Sequence, residues 1–288
     1  MAGGGISVGN VFNSAEMYSS RTKQWKTLQP MSTKRGYSPV TCFAYVERQP
    51  RVYVVGGKDG AESLSSGEYF DVCEEEWKLL PSMKSARHSA AGVVLACGTK
   101  LVVCGGLDQK NTWISSCECL DLGTHEWSEF AGLLAPRYSH CCVLYKGKPV
   151  VLGGRTVRNE PLSSCEVFNE ATNQWEPLAS MTTPRYDFGA SVVEDMIYAA
   201  GGRYDKDQSK YLATIEVFDG AVWRLVGASL AKPRCNHTCV CFGGHLVVLG
   251  DEKELESYDP STKQVQRSAI PSMTTPRREF CGAVSFKF

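Results

Sequence analysis

The side chains best suited to chemistry in this chain are its thirteen cysteines and five histidines. Cys117 and Cys119, and Cys239 and Cys241, are spaced C-x-C, while Cys141 and Cys142 are adjacent. Structural zinc asks for C-x₂-C with a second matching pair, and that spacing is missing. His88, His125, His140, His237 and His245 are spread along the sequence rather than gathered in one motif. The chain has no phosphate-cradling P-loop, no G-x-S-x-G nucleophile elbow and no H-E-x-x-H zinc helix. Its reactive residue types therefore point to packing before catalysis, with cysteine acting as a small apolar side chain.

Bulk properties narrow the partners. The 288 residues carry 31 Lys plus Arg against 31 Asp plus Glu, so the net charge is zero. That balance gives no electrostatic ground for nucleic acid or an anionic membrane as partner. A 43% hydrophobic and 22% charged composition is that of a soluble globular domain. The opening MAGGGISVGN lacks the basic and apolar regions of an export signal, so a reducing cytoplasmic setting is expected.

The elements that must position these residues recur. SMTTPR stands at Ser180–Arg185 and again at Ser272–Arg277. Tryptophans fall at Trp25, Trp77, Trp127, Trp175 and Trp223, each preceded by a glycine pair such as Gly105-Gly106 or Gly153-Gly154. Arg35, Arg87, Arg137, Arg185 and Arg234 follow them, and Glu16, Glu68, Glu118, Glu166 and Glu216 precede them. A sixth unit keeps Gly250, Glu256 and Arg277, with Val265 in the tryptophan position. The approximate units are 1–50, 51–99, 100–147, 148–195, 196–244 and 245–288. Apolar runs ended by glycine (RVYVVGG, KLVVCGG, KPVVLGG) read as buried strands, and GEYFD or CEVFN as alternating ones. The tryptophan segment makes a third strand, and the small-residue stretch after each arginine a fourth. Units that cannot bury a face alone must stack, which predicts an all-β, six-bladed propeller of four-stranded antiparallel blades.

The glycine pair, the E-x-[FYL]-[DN] segment, the tryptophan and the PM-x-x-x-R run resemble kelch repeats over essentially the whole chain. The Gly-His and Trp-Asp dipeptides of the rival tryptophan-aspartate repeats are missing. The resemblance implies ring closure by the C-terminal strand: residues 277–288, RREFCGAVSFKF, followed by MAGGG, reproduce one unit nearly in register. The chain is accordingly expected to be one propeller domain, 1–288.

A residue present in every unit serves the scaffold, so the arginines and glutamates are expected to form charge-assisted hydrogen bonds between strands and loops. The strand after each arginine is expected innermost, where Gly92, Cys141, Gly189, Cys239 and Cys281 suit a crowded channel. Function is expected where the units differ. The loop after the glycine pair and the loop entering the inner strand open on one face, which kelch propellers use to hold partner peptides. The residues there are Tyr37, Lys58, His88, Tyr138, Arg155, Tyr186, Asp187, Arg203, Tyr204, Asn236, Asp251, Arg278 and Glu279. Aromatic residues and arginine, the types enriched in binding hot spots, are well represented. The fifth unit has the longest loop, RYDKDQSKYLAT, and the sixth almost none, which predicts a raised wall beside a notch. Arg155, Arg158, Arg203, Lys206 and Lys210 give the wall a basic edge, whereas Asp251, Glu252 and Glu254 make the notch acidic.

Some members of the family are enzymes. A copper-radical oxidase would need tyrosine and histidine ligands that this chain does not cluster. The iron-dependent specifier proteins use E-x₃-D-x₃-H, and Glu118, Asp121 and His125 are one residue short of it. The expectation is a non-catalytic scaffold without metal or cofactor that binds a protein or peptide and no small-molecule substrate. Substrate recognition for a ubiquitin ligase is a family role that fits, and actin binding or a metal-dependent enzyme is the alternative.

Overall fold

The computed structural model of the protein describes residues 11–250 and 252–273. A two-stranded sheet pairs β1 (Glu16–Ser19) with β2 (Gln24–Thr27). The first four-stranded sheet follows as β3 (Val40–Val46), β4 (Gln49–Val55), β5 (Gly67–Asp71) and β6 (Glu76–Leu80). The second is β7 (Ala91–Val94), β8 (Lys100–Cys104), β9 (Cys117–Asp121) and β10 (Trp127–Phe130). The third is β11 (Cys141–Tyr145), β12 (Lys148–Leu152), β13 (Cys165–Asn169) and β14 (Gln174–Leu178). The fourth is β15 (Gly189–Val193), β16 (Met196–Ala200), β17 (Thr214–Phe218) and β18 (Trp223–Ser229). The fifth is β19 (Thr238–Phe242), β20 (His245–Gly250), β21 (Glu252–Asp259) and β22 (Gln264–Arg267). Every sheet is an antiparallel meander in sequence order, so the chain forms a propeller of four-stranded blades.

The described residues hold five four-stranded blades, not the six expected. The β1–β2 sheet lies between the last and the first of them. Tyr18 and Trp25 pack on the fifth-blade cluster around Val247 and Leu255, and Ala15 and Leu28 pack on Val52 and Phe70 of the first. The closing segment 277–288 lies outside the described residues.

Apolar continuity decides which strand is buried. Leu101, Val102, Val103 and Cys104 of β8 have no exposure, and Val150, Val151 and Leu152 of β12 have none. The strands after the arginines are innermost: β3, β7, β11, β15 and β19 touch one another in sequence and leave a common central cavity. Glycine is required there. A Cβ on Gly189 would stand 2.5 Å from Cys239 Sγ, and one on Gly92 2.5 Å from the Val102 carbonyl oxygen. The described cysteines are free thiols, and burial pushes Cys42 and Cys239 up to about 12. Cys42 and Cys239 behave as packing residues.

Two bonds per blade join each sheet to the one before it. Trp77, Trp127, Trp175 and Trp223 donate their indole N–H to the carbonyls of Gln29, Pro81, Ala131 and Ala179, 2.8 to 3.0 Å away, in the linker leaving the preceding blade. The repeated arginine docks the same linker onto the following sheet. Arg185 Nη2 lies 2.8 Å from Glu216 Oε1, while Glu216 Oε2 accepts the Thr182 N–H at 2.7 Å. Arg35–Glu68, Arg87–Glu118 and Arg137–Glu166 repeat this at 3.1, 2.7 and 2.5 Å, and Arg234 pairs with Glu256. All ten side chains are buried. Each carboxylate faces both a guanidinium and backbone N–H donors, which is how buried charge becomes tolerable.

Candidate partner-binding face

The glycine pair sets the floor of one propeller face. Gly153 and Gly154 adopt φ of 59° and 95°, and a Cβ on Gly154 would stand 2.7 Å from the Tyr138 carbonyl oxygen. That close approach lets the residue after the pair bridge to the residue after the repeated arginine. Gly36 meets Lys58, His88 meets Leu107, Tyr138 meets Arg155 and Tyr186 meets Arg203. The two loop series expected to share a face are thus hydrogen-bonded partners.

The next position forms a ring around the mouth of the central cavity. Ser89 N–H donates to Tyr37 O at 2.9 Å, Ser139 to Ser89 at 2.9 Å, Asp187 to Ser139 at 3.1 Å and Asn236 to Asp187 at 2.8 Å. All five adopt left-handed backbone, with φ between 50° and 54°. Five non-glycine residues in that region are held by the blade-to-blade bonds they make. Four residue types share the five positions, so this ring has no signature along the chain.

The side chains of the face divide into floor and surface, and here three expectations need correction. Tyr186 is 1% exposed, Arg155 3% and His88 4%, so none can present itself to a partner. Arg155 lies 4.4 Å from the Tyr186 ring centroid and donates to the carbonyls of Asn159 and Lys206 at 3.1 and 3.0 Å. Tyr186 donates its hydroxyl to Asp205 O at 3.0 Å, and burial pushes its phenol up to about 12. His88 Nδ1 meets Ser63 Oγ at 2.9 Å, and burial, with Lys58 nearby, pushes its imidazole down to about 4. Arg155 and Tyr186 thus form an internal stack that fixes the loops.

The remaining expected residues are accessible. Tyr37, Lys58, Tyr138, Asp187, Arg203 and Asn236 are half-buried, and Tyr204 is 40% exposed. Lys58 Nζ sits over the Tyr37 ring at 5.7 Å, and the Tyr138 hydroxyl meets Asn159 Oδ1 at 2.6 Å. Arg203 Nε lies 3.8 Å from Asp187 Oδ2, and burial raises the Asp187 carboxyl against the pull of Ser139 and Arg203. Asp251, Arg278 and Glu279 lie outside the described residues. Two exposed apolar residues were missed: Val157 at 48% and Tyr211 at 44%. Both belong to loops the sequence marks as long, but nothing in it separates them from their buried neighbours.

The raised wall takes shape where two loops join. Residues 156–161 and 204–211 are tied by Arg155 to Lys206 O and by Lys206 Nζ to Glu160 Oε1 at 2.8 Å. β20 ends at Gly250 and β21 begins at Glu252, so the fifth sheet has the shortest connection between second and third strands among the described four-stranded sheets. Arg158, Lys206 and Lys210 are exposed on the wall, whereas Arg155 lies beneath it.

The residues nearest to a metal motif go to separate tasks. Glu118 holds Arg87 and the N–H groups of Lys84 and Ser85. Asp121 accepts the N–H groups of Gly123 and Thr124, and His125 packs on Tyr69 with ring centroids 5.5 Å apart. No group of three His, Cys, Asp or Glu side chains that could hold a metal ion occurs among the described residues. No helix among them is long and apolar enough to cross a membrane.

Comparison with known proteins agrees with this architecture. Residues 40–251 match the family described as "KLHDC2/KLHL20/DRC7 Kelch-repeats domain", and residues 2–32 match "Kelch motif". Kelch repeat-containing protein kel-10 of Caenorhabditis elegans is 27% identical over 108 residues, 38% of this chain and 18% of that protein. Kelch-like protein 41a of Danio rerio is 32% identical over 110 residues, again 38% and 18%. The F-box/kelch-repeat protein At2g44130 of Arabidopsis thaliana is 29% identical over 110 residues, 37% and 26%. The matched part is thus 18% to 26% of each relative's length. A solved structure titled "Structure of YjhT" superposes with a TM-score of 0.77 over 93% of this chain and 96% of the other, at 14% identity, which speaks for the fold alone. With the family description spanning most of the described blades, the chain belongs to the kelch-repeat family.

Proposed function

We propose that the protein is a non-catalytic recognition module that captures a segment of another protein on the loop face. The observation that carries this is the joined wall of residues 156–161 and 204–211. It presents Val157, Tyr204 and Tyr211 to solvent beside Arg158 and Lys210, over a floor locked by Arg155 and Tyr186. Exposed tyrosines on braced loops bind with little entropy left to lose. Kelch-like and F-box/kelch relatives support a protein-interaction role, and substrate recognition for a ubiquitin ligase in the cytoplasm is the form we favour.

The ring itself belongs to the same proposal. Residues 1–288 form one six-bladed domain in which 277–288 supply the inner strand beside the N-terminal strand of the β1–β2 blade. Affinity capture from cells with wild type and with Tyr204→Ala/Tyr211→Ala tests the face. A protein lost from the double variant while its fold persists supports it, and an unchanged set of captured proteins rejects it.

A further inference from the structure

The second and third blades bring three thiols into one place. Cys104 ends β8 and Cys117 begins β9, and the two stand directly opposite in the antiparallel ladder. The Gly105 N–H donates to the Ser116 carbonyl at 3.1 Å, which makes Cys104–Cys117 the adjoining non-hydrogen-bonded pair. Side chains of such a pair share one face with Cα atoms about 4.5 Å apart, inside the range that a disulfide spans. The corresponding pairs of the first, third and fourth four-stranded sheets are Val55–Gly67, Leu152–Cys165 and Ala200–Ile215. None of those could be bridged this way.

The third thiol comes from the neighbouring blade. Cys142 of β11 packs on the apolar cluster that holds Cys104 and Cys117, and the Cys104 thiol interacts with both of the others. Access separates the three. Cys104 has no exposure and Cys117 has 2%, whereas Cys142 is half-buried and lines the central cavity of about 350 Å³. Burial also raises the Cys104 and Cys117 thiols well above their usual range, which leaves little thiolate on either to meet an oxidant directly. A small oxidant in the cavity therefore reaches Cys142 first.

We propose that these cysteines form a peroxide-oxidised relay, with Cys142 as the point of entry and a Cys104–Cys117 disulfide as the product. Hydrogen peroxide transfers one oxygen to the Cys142 sulfur, giving a sulfenic acid and one water. The Cys104 thiol attacks that sulfur, a Cys104–Cys142 disulfide forms, and the hydroxyl leaves with the thiol proton as a second water. Cys117 then attacks the Cys104 sulfur from across the ladder, and Cys142 leaves as a thiolate that takes up the Cys117 proton. Two thiols lose two electrons in all, and one peroxide becomes two waters. Contact between the thiols offsets their scarce thiolate, because each exchange is intramolecular. The product staples the base of the loop 105–116, whether or not the loop face holds a partner.

Treatment of the intact folded protein with hydrogen peroxide, then alkylation and tryptic mapping, tests the relay. The three cysteines fall in separate peptides, 101–110, 111–137 and 138–146, and fragment ions tell Cys117 from Cys119 and Cys142 from Cys141. The wild type should yield 101–110 joined to 111–137 through Cys117. Cys117→Ser should stop at 101–110 joined to 138–146 through Cys142. Cys104→Ser should leave a Cys142 sulfenic acid that dimedone traps. Cys142→Ser should form the Cys104–Cys117 bond at least about tenfold more slowly. Peptide 101–110 left unjoined in the oxidised, folded wild type would overturn the proposal, as would an undiminished rate in folded Cys142→Ser. Early dimedone labelling of the wild type needs no variant: Cys142 labelled first supports the relay, and Cys104 or Cys117 labelled first overturns it.

Discussion

Trp25 donates its indole N–H to the carbonyl of Pro271, 2.8 Å away in space and 246 positions along the chain. It is the same bond that Trp127 makes to Pro81, 46 positions away, between consecutive blades. The fifth blade therefore holds the β1–β2 sheet as each blade holds its successor. Removing the donor should cost what a single hydrogen bond is worth, about 1 kcal/mol. Trp25→Phe and Trp127→Phe should lose this amount equally in chemical denaturation, and a loss confined to Trp127→Phe would mean the first and last parts are not docked.

Deleting residues 280–288 should lower the melting temperature and make the β1–β2 sheet the first to exchange its amide hydrogens. Those residues supply the inner strand of that blade in the proposed ring, and strands without it expose backbone donors and acceptors. A truncated protein as stable as the full chain would contradict closure by the C-terminal strand.

The buried ion pairs should respond asymmetrically. Arg185 and Glu216 are both fully buried, so Arg185→Ala strands a carboxylate and should cost about 3–5 kcal/mol. Arg185→Ala/Glu216→Ala should cost less than the sum of its single variants, as residues of one network do. Denaturant midpoints of the three variants check this, with additivity as the opposing result.

Acid should weaken the fold before the carboxylates titrate. Burial, with a neighbouring arginine in each case, pushes His140 and His237 down to about 3. An imidazole held low in the folded state but near 6.5 when unfolded binds its proton preferentially in the unfolded chain. Its contribution is fully present above pH 6.5 and is lost as pH falls from there toward 3. Each histidine should give up to about 1.4 kcal/mol per pH unit in that window. His140→Asn/His237→Asn should flatten the stability profile between pH 6.5 and 5, and an unchanged slope would place the acid sensitivity elsewhere.

The scaffold was legible in the sequence because each blade repeats its solution. Tryptophan, arginine, glutamate and the glycine pair recur at fixed offsets, and their partners turned out to be linkers and carbonyls that recur with them. Small residues after the arginine signalled the crowded centre, where Gly92 and Gly189 meet neighbouring strands. The site was less legible. Tyr186 and Tyr204 share a residue type and a loop neighbourhood, yet one is 1% exposed and the other 40%. What separates them is the stack of Arg155 on Tyr186, a contact between blades that no spacing along the chain encodes.

The loop face is tested most directly by measuring the affinity of a captured partner segment, as a synthetic peptide, for three proteins. These are wild type, Tyr204→Ala/Tyr211→Ala and the outer-strand variant Leu79→Ser/Leu225→Ser, all checked for folding. Loss of hot-spot tyrosines should weaken binding at least about tenfold, and the outer-strand substitutions should leave it unchanged. Equal affinity for wild type and the tyrosine variant, or a loss only in the outer-strand variant, would show that the partner docks elsewhere.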